Sequence, residues 1–386
     1  MVVLGSKSDN NRSIGGSASG AKRWTWVAYL LSSSVLAFNM YVMTTWDSNT
    51  QQQQQTQKAS QNTVAIRGGR DVHSHQPSSV SSGSGKQYPF KVAICVLMKD
   101  AENYFEEWLD YHFALGFDAI YIYDNSPSFE LKNWYGNTRN HATFGNVEVL
   151  HWLDDSAENQ DHAYADCVEK FGRSETGPKI DYFAFIDVDE FLVIRSPKYN
   201  DIQGVLSDYL VPYGGALTVN WMMVGSSNKS VSSPLPLTKR NQYRAKETHN
   251  VVKSFAKTSD YIEHINPHGV ELQSPAAIHT TKYPGALFKP TSDTYASDHE
   301  RPSDILLLYH YRYGSKKEYV FKRCVRGDST GGSRWCDGAD IKADTPDHIQ
   351  IAPGDVFDDA AWQFLTSRVP KYRVFDEFED FHHPAE

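Results

Sequence analysis

Three carboxylates interrupt an otherwise apolar run in Tyr182-Phe183-Ala184-Phe185-Ile186-Asp187-Val188-Asp189-Glu190-Phe191-Leu192-Val193. On an extended backbone Asp187 and Asp189 would point to the same side, because side chains alternate along a strand. Two converging carboxylates at the end of a buried strand repel each other unless a cation sits between them. A divalent ion bound by oxygen ligands and shared with a diphosphate fits that need. A bare Asp-x-Asp is common on solvated loops, but a strand core does not accept charges at random. The pattern is therefore that of a metal site for a nucleotide-sugar. Glu190 is expected to cap or position rather than to ligate.

Several elements are needed to bring such a site together. Lys91–Met98 (KVAICVLM) is a continuous apolar run of the kind found in strands buried on both faces. From Glu102 to Leu115 the apolar residues Tyr104, Trp108, Leu109, Tyr111 and Leu115 follow helical spacing, and Gly116 supplies a stop. Ala119–Tyr123 is a second strand closed by Asp124-Asn125-Ser126-Pro127, a turn signal. A short strand is expected at 146–152, a helix at 158–171 and the strand that delivers Asp187 at 182–186. Alternation of this kind predicts a largely parallel sheet with helices on both faces. Ligands of such sheets bind beyond the carboxyl ends of the strands, where Asp100, Asp124 and Asp187 all fall. After residue 200 the pattern loosens: strands are expected at 215–224 and 305–313, then a helix from about 314 to Cys324. The acidic, aromatic tail beyond 340 yields no element.

The 386 residues carry 38 Lys and Arg against 47 Asp and Glu, a net charge of -9, which argues against a general nucleic-acid binder. Residues 24–46 contain no charged side chain, begin and end in Trp, and follow Lys22 and Arg23. Twenty-three residues at about 1.5 Å each span the hydrocarbon core of a bilayer. With the positive-inside rule this predicts a cytoplasmic tail (1–23), a transmembrane signal anchor (24–46) and a type II topology. A cleaved signal peptide is the competing reading, against which stand the length of the apolar run and the want of an A-x-A site. Residues 47–87, rich in Gln, Ser and Gly, have too little apolar content to order themselves and form a flexible stem. A lumenal domain would then occupy 88–386. In that compartment Cys324 and Cys336 could close a short loop, Cys95 would be a buried core thiol, and the alternative leaves all four cysteines free. Asn228-Lys229-Ser230 is a possible glycan site.

The segment ICVLMKDAENYFEEWLDYHFALGFDAIYIYDNSP resembles the opening of glycosyltransferase family 92 and related family-2-like domains. FIDVDEFLV is similar to their metal motif, NWMMVGSSN to a Trp-containing loop, and VVKSF…HINPHGV to a Lys-bearing strand with a downstream His. YHYRYGSKKEYVFK resembles their late His-Tyr…Ser…Lys segment. The likeness covers roughly 90–325. One departure is that Asp100 precedes Ala101-Glu102 where relatives often carry the acidic residue directly.

The resemblance implies a GT-A type α/β fold, a Rossmann-like mixed sheet flanked by helices and preceded by one transmembrane helix. It also implies Mn²⁺-dependent transfer of a sugar, often galactose, from a UDP-sugar to a glycan or polysaccharide acceptor with inversion, in the Golgi membrane. The metal ligands would be Asp187, Asp189 and, as third ligand, His310, with His268 an alternative and a plain core histidine the competing reading of His310. Lys99, Asp100, Asp124 and Asp187 would face the donor, Asp124 through uracil or ribose. Lys99, Lys253 and Lys322 could each pair with phosphate or be ordinary surface lysines. Trp221 could stack on a sugar or pack in the core. Inversion needs a general base; Glu247, Asp260, Glu263, Asp298, Glu300 and Asp304 lie in a suitable stretch, and nothing local distinguishes them. A catalytically inactive glycan-binding protein on the same fold is the alternative function.

Overall fold

The computed structural model describes residues 87–99, 104–137, 144, 146–290, 301–326 and 354–378, without the side chains of 323–325. The expected anchor at 24–46, nearly all of the stem, Asp100 and the Cys324–Cys336 pairing lie outside the described residues. Among the described residues no helix is long and apolar enough to cross a membrane.

The first half alternates as its patterning requires. Strand β1 (Val92–Met98) is buried along its whole length. Helix α1 (Phe105–Leu115) buries Phe105, Trp108, Leu109, Tyr111, His112 and Leu115 on one stripe. It ends at Gly116, whose φ of 106° only a residue without Cβ adopts freely. Strand β2 (Ala119–Asp124), the short helix α2 (Lys132–Tyr135), β3 (Val147–His151) and helix α3 (Asn159–Cys167) follow, and a π-helical turn (Val168–Arg173) extends α3. Strand β4 (Tyr182–Phe185) closes this half, in which β3, β2, β1 and β4 run parallel in that order.

The second half is mixed. Strand β5 (Glu190–Ile194) comes next in sequence, then helix α4 (Ile202–Tyr209) and β6 (Ala216–Met223). Helix α5 (Leu237–Arg240), β7 (Tyr243–Arg244), β8 (Val252–Lys257), β9 (Tyr261–Asn266), β10 (Gly269–Leu272) and β11 (Ile278–Thr280) lead to β12 (Leu306–His310). Helix α6 (Lys316–Val320) continues as a π-helical segment (Phe321–Arg326), and β13 (Val356–Phe357) and α7 (Ala360–Arg368) complete the order. The sheet continues β4-β8-β6-β12-β5, with β8 antiparallel to both β4 and β6. The largely parallel sheet expected from the alternation is thus parallel only in its first four strands and in the β6–β12 and β6–β11 pairs.

Residues 186–189 impose a curl on this sheet. They join β4 to β5, four strand steps away, or about 19 Å on a flat sheet. Five residue steps reach at most about 17 Å fully extended. Here they also make a turn, with the Glu190 N–H on the Asp187 carbonyl at 3.0 Å. The sheet must fold over, and β6 is where it does so. Its residues Ala216–Asn220 pair with β8, whereas Trp221–Met223 pair with β12.

Two further differences from the sequence reading are structural. Cys95, expected as a core thiol, is buried but bonded to Cys167, which ties β1 to the end of α3 and removes the reading in which all four cysteines are free. The tail that yielded no element contains α7, whose Ala361, Trp362 and Leu365 are buried. Asp358, just ahead of it, accepts from Arg195, Arg244 and the Tyr309 hydroxyl, so a charged cluster adds to these buried side chains in fixing the segment.

Candidate functional site

The carboxylates do not sit on an extended strand. Asp187 and Asp189 belong to the turn between β4 and β5, and the reason lies in Glu190. Its carboxylate accepts the Asp187 N–H at 2.8 Å, closing the turn on itself. Glu190 has no exposed surface, and burial pushes its carboxyl well above the usual range. Helix α1 fixes the start of β5: the Trp108 indole N–H donates to the Glu190 carbonyl at 2.8 Å, and the Tyr111 hydroxyl to the Leu192 carbonyl at 3.0 Å. The Tyr311 N–H reaches the Asp189 carbonyl at 2.8 Å from the β12 side.

Each carboxylate has its own lysine. Lys253, on β8 beside β4, is 1% exposed in its side chain, and its Nζ lies 3.1 Å from Asp187 Oδ2. The Gln160 side-chain nitrogen donates at 2.7 Å both to Asp187 Oδ1 and to the Tyr164 hydroxyl. Burial works to raise the Asp187 carboxyl, but the Lys253 ammonium outweighs it and the net shift is downward. Asp189 is 2% exposed. Its Oδ2 is bonded to Lys322 Nζ and lies 3.5 Å from His310 Nε2. Burial again opposes ionisation, and Lys322 with His310 reverse it, holding Asp189 well below the usual carboxylate range.

His310 ends β12 with its ring 4.4 Å from that of Trp221. Burial lowers its pKa, and its Nδ1 finds no partner among the described residues. His268, the alternative ligand, holds its Nδ1 3.0 Å from the Val252 carbonyl, and burial depresses it to about 4. Trp221 stands at the curl of β6, 8% exposed, against the rings of His249, His268 and His310. Its indole N–H, buried at the fold of the sheet, has no acceptor among the described residues.

The remaining expected donor residues are less concentrated. Lys99 is half-buried after β1, and its carbonyl accepts from Arg326 at 3.2 Å, which draws the extension of α6 to this strand end. Asp124 is fully buried. It accepts from the Ser126 and Leu131 N–H groups, at 2.9 Å each, so it organises the loop after β2 instead of offering an open acceptor to uracil or ribose. Of the acidic residues left open as bases, Asp260 accepts the Gly215 N–H and faces Lys257, a structural placement. Asp298 and Glu300 lie outside the described residues. A cleft of about 740 Å³ against Phe90, Lys91, Phe117 and Asp118 lies at the amino ends of β1 and β2, away from these groups.

Among the described residues no three His, Cys, Asp or Glu side chains are drawn around one ion-sized space. The donor types nevertheless suit a divalent cation: carboxylates and an imidazole nitrogen at Asp189 and His310, with a cationic ammonium already on the oxygen such an ion would use. Sequence reasoning did not find Gln160, Tyr164 or Trp108 as parts of this site. It placed Lys253 no deeper than a phosphate contact or a surface lysine, although a charge inside the apolar stretch VVKSF was a signal that it is buried and paired.

A mixed α/β sheet thus carries an acidic turn at the carboxyl ends of its parallel strands, faced by lysines and histidines from the far half. The family model of glycosyltransferase family 92 matches residues 88–331, and the chain belongs to that family. A glycosyltransferase family 92 protein of Oryza sativa subsp. japonica is 26% identical over 140 residues, which cover 36% of this chain and 22% of that relative.

Proposed function

We propose that this protein transfers a sugar, galactose in the reading the family resemblance favours, from a UDP-sugar to a glycan or polysaccharide acceptor with inversion, on a GT-A type fold. The observation that carries the proposal is the Asp187-Val188-Asp189 turn at the strand-end edge, closed by buried Glu190 and faced by His310, Lys253 and Lys322. Asp187, Asp189 and His310 would hold Mn²⁺. Such an ion supplies charge to the leaving diphosphate without proton transfer. Lys253 and Gln160 keep Asp187 ionised and oriented, and Trp108 holds the backbone of the turn. Trp221 offers a flat, nearly buried face for the sugar. The Cys95–Cys167 bond suits an oxidising compartment and so supports a lumenal catalytic domain of a single-pass, type II Golgi membrane protein.

The test is a panel of UDP-Gal, UDP-GlcNAc, UDP-Glc and GDP-sugars assayed with and without Mn²⁺. One UDP-sugar is expected to turn over only with the ion, and Asp189→Asn to lower that rate on the order of 100-fold. An unchanged rate in Asp189→Asn would sink the metal assignment. Glycan binding with no turnover of any donor would favour a catalytically inactive glycan-binding protein instead.

A further inference from the structure

Lys322 occupies an unusual position for a site meant to take a cation. Its ammonium is on Asp189 Oδ2, the same oxygen that His310 Nε2 faces at 3.5 Å. We infer that Lys322 is the internal counter-ion of this site, that a divalent cation displaces it, and that the released ammonium then pairs with the donor's diphosphate. The inference rests on the metal reading above and concerns what this chain's own lysine does before and after the ion binds.

Three observations carry it. First, Asp189 Oδ2 already carries the Lys322 ammonium and faces the His310 imidazole, so an ion taking that oxygen competes with Lys322 for it and repels its charge. Second, Lys322 is free to leave while Lys253 is not: their side chains are 29% and 1% exposed. Lys322 lies in the extension of α6, two residues beyond the helix proper, on a flexible four-carbon stem. Its base does not need to move, because α6 is pinned by the Ser315–Glu318 capping box and by Arg240, which bonds both oxygens of Glu318 at 2.7 Å. Third, each carboxylate faces one lysine, Asp187 with Lys253 and Asp189 with Lys322. Exchanging Lys322 for a divalent ion makes the turn one positive charge richer, and the freed ammonium adds another, where a diphosphate would lie.

The experiment measures Mn²⁺ binding to the full-length protein in detergent without donor, by electron paramagnetic resonance of the free ion, and then UDP binding by calorimetry in saturating Mn²⁺. Lys322→Ala and Lys322→Gln, which deletes the charge but keeps the length, are compared with wild type and Asp189→Asn. Removing the competing ammonium is expected to tighten Mn²⁺ binding about fivefold, the scale of one partly exposed ion pair, while UDP binding to the loaded protein weakens by a similar factor. If wild type binds Mn²⁺, Asp189→Asn does not, and both Lys322 variants bind it no tighter than wild type, the displacement idea is overturned and the metal reading stands. If wild type and Asp189→Asn bind Mn²⁺ equally or not at all, the metal reading itself falls and takes this inference with it.

Discussion

Asp187 and Asp189 stand two residues apart in one turn, and each meets a lysine, yet the two pairs are built differently. The Asp187 partner is a strand lysine with almost no solvent contact, reinforced by Gln160. The Asp189 partner comes from the end of a short helix and keeps nearly a third of its surface in water. A buried counter-charge is permanent, because leaving either partner alone in the interior is costly. A partly exposed one is exchangeable, because water can solvate the Lys322 ammonium when it leaves. The turn thus combines a fixed carboxylate with one that can change partners.

The largest effect that would break this contrast is expected from Lys253→Met. It leaves Asp187 without its ammonium, and thermal unfolding should show a loss of about 3 kcal/mol, at the low end for a broken buried pair because Asp187 is 32% exposed. A loss no larger than that from Lys322→Met would show that the two lysines are alike after all.

The anchor of the exchangeable lysine gives a pH test. Burial would raise the Glu318 carboxyl, but its bonds to Arg240 prevail and bring it from 4.5 to about 2. A carboxylate depressed in the folded state stabilises above its unfolded pKa, and that contribution disappears as pH falls through the folded value. Melting temperature should therefore drop between pH 4.5 and about 2 in wild type. The slope should be shallower in Glu318→Gln, and an identical slope would remove Glu318 from the account.

Gln160→Leu deletes a 2.7 Å bond to a charged oxygen and should cost about 1–2 kcal/mol in chemical denaturation. Lys322→Met leaves buried Asp189 with His310 still facing it and is expected to cost less than Lys253→Met, about 1–2 kcal/mol, measured on the same unfolding curve. A larger value would mean that Lys322 is a structural counter-ion like Lys253.

Much of the frame was legible in the sequence because its signals are local. VAICVLM is apolar throughout, so β1 had to be buried on both faces, and the stripe from Phe105 to Leu115 with Gly116 after it needed no partner to be recognised. The FAFI…EFLV context likewise marked the carboxylates at a strand end, although it read them on an extended backbone and not in the turn they occupy. What escaped were residues whose roles depend on distant partners. Trp108 and Tyr111 look like ordinary core aromatics until their polar atoms meet the β5 carbonyls, 82 and 81 residues away. Gln160 lies on a helix of weak amphipathicity, and only contact with Asp187 gives it a task. The C-terminal α7 is held in part by Asp358 and its two arginines, for which no periodic pattern exists.

By itself the sequence determined that a buried strand delivers Asp187 and Asp189 to one strand end, because hydrophobic patterning and the cost of burying charge act over a few residues. Only the tertiary structure decided which cation each carboxylate receives. That choice depends on a sheet that folds over at Trp221 and on the depth at which Lys253 and Lys322 come to rest, and burial depth is a property of the whole packed chain.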